Sequence, residues 1–241
     1  MVKRLNEFAA LSFDCYGTLI DWESGLWAAL QPLLARRRAP AARDATLAEF
    51  ATAEARVQAE TPSLPYAQVL AEVHRRLVVA WKAAPDADET RRFGESVGDW
   101  PAFPDTADAL RRLKRRFRLV ILSNVNHAGF ARSLPKLGVA FDDVFTAEDI
   151  GSYKPDPRNF TFLIARMAEH GIAKENILHV AQSLFHDHAP ANATGLTSVW
   201  IDRRAGKQGW GATAPPPEGV HWDYRFESMG AFADACDAAA S

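Results

Sequence analysis

The stretch "LSFDCYGTLID", residues 11–21, decides how the rest of the chain is read. A short hydrophobic run, 9–13, delivers Asp14 into a turn marked by Gly17 and Thr18, the pattern of a buried strand that ends at a polar crevice. Two residues after Asp14 stands Tyr16, so the turn presents one carboxylate rather than two.

Four further apolar runs, 119–122, 143–146, 177–181 and 198–201, are equally short and end at polar residues, which predicts strands. Between them lie helical spacings. "TADALRRLKRRF", 106–117, puts Ala107, Leu110, Leu113 and Phe117 on one side and Arg111, Arg112, Lys114 and Arg115 elsewhere. That is an amphipathic helix, and its basic run is read as a solvated face rather than a nucleic-acid patch. Buried strands alternating with helices imply βαβ units and crossovers of right hand. The expected fold is therefore α/β, a doubly wound parallel-sheet (Rossmann-like) core. In such a core, side chains at the carboxyl ends of strands share one crevice, where Asp14, Ser123, Lys154 and Asp187 are all expected.

Residues 20–99 break the alternation. They are rich in Ala, Arg and Glu, with helical stretches at 25–38, 47–60 and 66–84 separated by the turn-prone "RAPAARD" and "TPSLP". The reading is a helical cap domain at 20–99 inserted into a core made of 1–19 and 100–241, with Pro101 and Pro104 at the return hinge. The Gly- and Pro-rich segment 206–220 is expected to be an irregular surface loop. No internal repeat is present.

A chain of 241 residues, 48% hydrophobic, can bury a large core, and its formal net charge of −2 sets up no field that favours nucleic acid or a membrane surface. A small molecule is the expected partner, with no nucleic acid and no membrane, and a homodimer is compatible with the reading. The two cysteines, Cys15 and Cys236, belong to no CxxC pair, so a disulfide framework has no support and a reducing cytoplasm is expected. The start "MVKRLNEFAALSF" has no long apolar core before Asn6 and Glu7, which argues against a signal peptide. No apolar run reaches the roughly 18 residues of a membrane span.

Taken together and in order, "FDCYGTL", "LSN" (122–124), "YKPDPRNF" (153–160) and "HVAQSLFHDHAPANATGL" (179–196) resemble the haloacid dehalogenase-like hydrolase superfamily over nearly the whole chain. Phosphatase relatives carry a second aspartate where Tyr16 stands. The pattern here is similar to the branch of L-2-haloacid dehalogenases. The resemblance implies a hydrolase that turns short 2-haloacids into 2-hydroxy acids with no metal and no cofactor, its substrate a short halogenated carboxylic acid.

Asp14 is then the nucleophile, although a lone aspartate before a turn also serves as an N-cap or turn former. Lys154 keeps that carboxylate ionised, its bland alternative being a solvated loop lysine. Ser123 and Asn124 are expected to grip the substrate carboxylate, or else to cap the following helix. Asp187 positions the hydrolytic water. Tyr16, Thr18 and Gln182 complete the expected substrate contacts.

The chain also departs from the family pattern. Gln182 stands where phosphatases present an acid, and Phe160 where the dehalogenases usually have tyrosine. His179, His186 and His188 lack a second cluster at zinc-ligand spacing, and His186 is placed to assist Asp187. The resemblance also implies a cap arginine that receives the departing halide, with Arg36, Arg37, Arg38 and Arg43 as candidates, and Trp22 and Trp27 as walls or packing. Two rivals stand: a phosphatase with drifted metal ligands, and a non-catalytic ligand-binding protein.

Overall fold

A computed structural model describes residues 3–37 and 42–239. Its strands β1 (Ala10–Phe13), β2 (Arg118–Ser123), β3 (Asp143–Thr146), β4 (Ile177–Ala181), β5 (Thr197–Ile201) and β6 (Tyr224–Phe226) form one sheet in the order β3-β2-β1-β4-β5-β6. Every neighbouring pair is parallel. The order reverses between β1 and β4, and a crevice opens at such a switch point beyond the strands' carboxyl ends.

Alternation along the strands divides the core into two layers. Leu11, Phe13, Leu119, Ile121, Leu178 and Val180 pack with Leu110 and Leu113 of α5 (Thr106–Lys114) and Phe232 of α10 (Met229–Ala238). Ala10, Val120, Leu122 and Ile177 face the other way, onto Phe160, Leu163 and Met167 of α8 (Arg158–Glu169) and Ala191 of α9 (Ala189–Thr194). Both faces of the sheet are thus covered by helices. The remaining core helices are α6 (His127–Leu137) and the single turn α7 (Ala147–Ile150).

Between β1 and α5 the chain is helical, with α1 (Trp22–Leu34), α2 (Arg43–Glu60), α3 (Tyr66–Ala80) and α4 (Ala87–Gly94). Asp21 caps α1 by accepting the Ser24 N–H at 3.1 Å, and Asp86 caps α4 by accepting that of Glu89 at 2.9 Å. Of the buried residues of α2, Leu47, Phe50, Ala51, Glu54, Val57 and Gln58 recur at helical spacing and form one inward stripe. Two of these six, Glu54 and Gln58, are polar.

Two elements differ from the sequence reading. β6 has no apolar run to announce it, since it is an edge strand of three residues with Arg225 exposed between half-buried Tyr224 and Phe226, and α4 carries charge at half of its positions behind its Asp86 cap. Segment 206–220 is irregular, as expected. The basic run of α5 is tied down: Arg112 pairs with Asp234 and Asp237, and Lys114 with Asp142 at 2.6 Å. Arg38 lies outside the described residues.

Candidate active site

β1 ends at Phe13, so the first side chain past the sheet is that of Asp14, fixed by its own N–H donating to Val180 O at 3.1 Å. The turn behind it depends on Gly17, whose φ of +101° suits only glycine and where an added Cβ would stand 3.3 Å from Gln182 Oε1. This turn brings Thr18 back beneath the carboxylate. Thr18 Oγ1 donates to Asp14 Oδ2 at 2.7 Å while accepting the Gln182 N–H at 2.9 Å.

The other Asp14 oxygen accepts a hydrogen bond from Lys154. Its Nζ lies 2.9 Å from Asp14 Oδ1, 2.6 Å from Asp187 Oδ1 and 2.9 Å from Leu122 O, so all three ammonium protons are used. Lys154 is 1% exposed, so this ion cluster is sealed from bulk solvent. The loop that carries it is stapled by Asn124, whose Oδ1 accepts the Lys154 N–H at 2.7 Å and whose Nδ2 donates to Lys154 O at 3.1 Å.

Asp187 arrives from a π-helical turn, Leu184–His188, which follows β4. Such turns widen a helix and re-aim side chains, and they recur at functional sites. Beneath the turn His179 Nε2 donates to Asp187 Oδ1 at 3.0 Å while its Nδ1 accepts from Ser12 at 2.8 Å, the tautomer that an ionised Asp187 selects. Phe160 packs edge-on against the His179 ring, 5.0 Å between centroids, and holds it from the core side. Asp187 Oδ2 is buried and takes no hydrogen bond from any described residue. It is an acceptor without a partner among the described residues.

Burial raises the Asp14 carboxyl above its ordinary value, the Lys154 ammonium offsetting part of this and the Asp187 charge adding to it. Burial also disfavours the charge on Asp187, but Lys154 and His179 outweigh it and hold that carboxyl well below the usual range. For Lys154 burial works against the ammonium, yet the two carboxylates keep it above its ordinary value. The cluster is therefore two carboxylates sharing one permanent cation.

A small cavity opens above these groups. Asp14, Tyr16, Ser123, Asn124, Lys154 and Asp187 line it, so six of the eight residues expected at the site meet there. Thr18 and Gln182 do not line it. Both stand behind Asp14, in the hydrogen-bond chain that fixes its carboxylate, and the substrate contacts expected of them are not what the geometry offers. Asn124 spends its amide oxygen on the Lys154 main chain, and Ser123 Oγ accepts the Val125 N–H at 3.1 Å with its own proton left to donate. Tyr16 turns its hydroxyl to Ser133 Oγ at 2.9 Å and offers the cavity its ring, braced edge-on by Trp100.

The helical segment supplies the opposite wall: Trp22 of α1, Glu54 and Gln58 of α2, and Tyr66 of α3. Of these, sequence reading named only Trp22. The signal for Glu54 and Gln58 was their place in the apolar stripe of α2, four residues apart where core side chains belong. Ser183 and His186 also reach the cavity, and desolvation pushes the His186 imidazole down to about 4, so it is neutral near pH 7. Arg36 is bonded to Glu89, Arg37 lies over Trp81 and pairs with Glu49, and Arg43 reaches Ser24. None of the three lines the cavity.

Among the described residues no group of three His, Cys, Asp or Glu side chains is placed to hold a metal ion. The two carboxylates at the site already share an ammonium, and Gln182 leans on the Gly17 turn, so the donor set for a hard divalent cation is short. No helix among the described residues is long and apolar enough to cross a membrane.

A family model described as haloacid dehalogenase-like hydrolase matches residues 8–184. An (S)-2-haloacid dehalogenase of Pseudomonas putida is 35% identical over 123 residues, 49% of this chain and 52% of that protein. The chain thus spans about half the length of the curated relatives it matches. Among solved structures, a defluorinating L-2-haloacid dehalogenase has a TM-score of 0.75 at 21% identity over 95% of both chains. The L-2-haloacid dehalogenase from Xanthobacter autotrophicus with chloropropionic acid covalently bound has a TM-score of 0.71 at 18% identity, covering 94% of this chain and 97% of that one. At these identities the structural likeness speaks for the fold.

Proposed function

The chain belongs to the haloacid dehalogenase-like hydrolase family, and on that premise we propose that it hydrolyses short 2-haloacids to 2-hydroxy acids through an ester on Asp14. The observation that carries this is the pairing of a fixed, Lys154-held Asp14 with an aromatic ring, Tyr16, where an acid for phosphoester chemistry would stand. A halide leaves without a proton, so the reaction needs no acid two residues past the nucleophile.

Asp14 attacks the carbon that bears the halogen. The new bond is O–C, the broken one is C–halogen, and the electron pair departs with the halide. A water then attacks the carbonyl carbon of the Asp14 ester; one of its protons passes by way of Asp187 to the oxygen of the departing 2-hydroxy acid, and the other is lost to solvent, which restores the Asp14 carboxylate. Lys154 balances the charge of both acids throughout, and the Ser123 hydroxyl is free to donate to the substrate carboxylate. Segment 20–99 acts as the cap that closes this chemistry from water. Cys15 and Cys236, both buried free thiols, agree with a reducing cytoplasmic setting.

The test is a substrate screen. Chloro-, bromo- and fluoroacetate and 2-chloropropionate are run beside a panel of phosphate esters, with halide and phosphate release measured. Halide release from the haloacids is expected; phosphate release alone would make the chain a phosphatase.

A further inference from the structure

The helical wall of the cavity carries polar groups for which the displacement at Asp14 has no use. They are the Glu54 carboxyl and the Gln58 amide of α2 and the Tyr66 hydroxyl of α3, and Tyr66 is committed to Glu54 Oε1 at 2.6 Å. Glu54 is 4% exposed and Gln58 9%, and neither the second Glu54 oxygen nor the Gln58 side-chain amide makes a hydrogen bond among the described residues. The wall is held against the loop that carries Lys154. Tyr66 packs on Tyr153, the residue before Lys154, with ring centroids 6.5 Å apart, and the Tyr153 hydroxyl donates to Leu64 O just ahead of α3.

A plain alkyl group pressed against this wall would bury a carboxyl oxygen and an amide without partners, and each such group costs its lost hydration. A hydroxyl is the small neutral group that both donates and accepts. We propose that Glu54 and Gln58 form a specificity subsite for a hydroxyl on the carbon next to the reacting one, so that the chain acts on 2-halo-3-hydroxy acids in preference to plain 2-haloalkanoic acids. The cavity is small and both walls line it, so an acid held at Asp14 and Ser123 has little room to keep its third carbon away from α2. The inference rests on the haloacid reading and narrows its substrate class. The reaction is otherwise unchanged: the halide leaves with the C–halogen electron pair, the C3 hydroxyl keeps its proton, and the product is a 2,3-dihydroxy acid.

The match holds for both charge states of Glu54. Burial pushes its carboxyl up to about 7, against the hydrogen bond from Tyr66 that pulls it down, so both forms are present near neutral pH. A hydroxyl donates to the carboxylate and accepts from the carboxyl, whereas an ammonium suits only the first and a second substrate carboxylate only the other. The Gln58 amide has a donor and an acceptor of its own and can complete either arrangement.

The experiment measures chloride release from racemic 2-chloro-3-hydroxypropionate, from 2-chlorobutyrate, in which a methyl replaces the hydroxyl, and from 2-chloropropionate. It uses the whole chain as wild type, Glu54→Leu and Gln58→Leu. The readout is the ratio of kcat/KM for the first two acids, which does not depend on how much of a variant folds. The wild type is expected to favour the hydroxy acid roughly 10- to 100-fold, and each variant to lower that ratio about tenfold or more. A wild-type ratio near one or below, or a ratio that either variant leaves unchanged, overturns the subsite, and continued hydrolysis of 2-chloropropionate then leaves the haloacid reading standing. No chloride from any of the three acids overturns the haloacid reading and the subsite with it.

Discussion

The two walls of the cavity are built on opposite terms. The wall from the sheet ends is charged and fully bonded: the Lys154 ammonium spends all three protons on Asp14, Asp187 and Leu122 O, and Asp14 is also held by Thr18. The wall from the helical segment carries Trp22, Glu54, Gln58 and Tyr66, with no cation among the described residues and with donors and acceptors left open. The first is rigid because moving any member strands a buried charge. The second is adaptable, since its groups have few bonds to lose. On the proposed reading, reaction type belongs to the sheet wall and substrate fit to the helical wall.

The contrast can be broken most forcefully at Asp14. Asp14→Asn keeps the shape and a Thr18 partner but replaces a nucleophilic carboxylate with an amide, so turnover should vanish while circular dichroism stays unchanged. Residual turnover within about tenfold of the wild type would take the chemistry away from the sheet wall.

Lys154→Met comes next. The sequence reading places Lys154 beside Asp14, with a solvated loop lysine as the bland alternative, and here it is buried under two carboxylates. Its loss should cost about 3–5 kcal/mol in urea unfolding, because two buried like charges lose their only shared cation. A change under about 1 kcal/mol would put Lys154 among ordinary surface ion pairs.

On the helical wall the effect is smaller and depends on pH. The Glu54 carboxyl has a folded value of about 7 against an ordinary 4.5, so the folded state holds its proton longer than the unfolded chain. That contribution is fully present below pH 4.5, falls as pH rises from there, and is gone above about 7. Relative to Glu54→Gln, the wild type should lose up to about 3 kcal/mol over this window, read from denaturant midpoints at pH 4.5, 6 and 8. Parallel curves for the two proteins would mean that Glu54 is already ionised in the fold. The smallest effect expected is none: haloacid turnover in excess EDTA should equal that in added magnesium, and a strict magnesium requirement would overturn the dehalogenase reading.

How much the sequence reveals differs between the walls for the same reason. Asp14, Ser123, Lys154 and Asp187 lie at or after the ends of strands whose apolar runs are short and bounded, and the loops of Asp14 and Lys154 also carry Gly17 and Pro155, so backbone chemistry marks those two positions. Glu54 and Gln58 sit inside a helix with no turn to flag them, and their only trace is a polar residue at an apolar phase of the stripe. Thr18 and Gln182 were legible as site residues but not in their roles, because which way a side chain faces in a tight turn depends on packing such as the space over Gly17. β6 escaped because a half-exposed edge strand of three residues leaves no periodicity to read.

Everything assigned to the sheet wall turns on whether the Asp14 carboxylate bonds to carbon or merely activates water. A single turnover in oxygen-18 water, with enzyme in excess over 2-chloropropionate, separates the two. Attack by Asp14 followed by opening of the ester at its carbonyl should give 2-hydroxypropionate with an unlabelled hydroxyl and leave the label in the Asp14 carboxyl, found by peptide mass spectrometry. Label in the product hydroxyl at the first turnover, with none in Asp14, would contradict this and make Asp14 a general base.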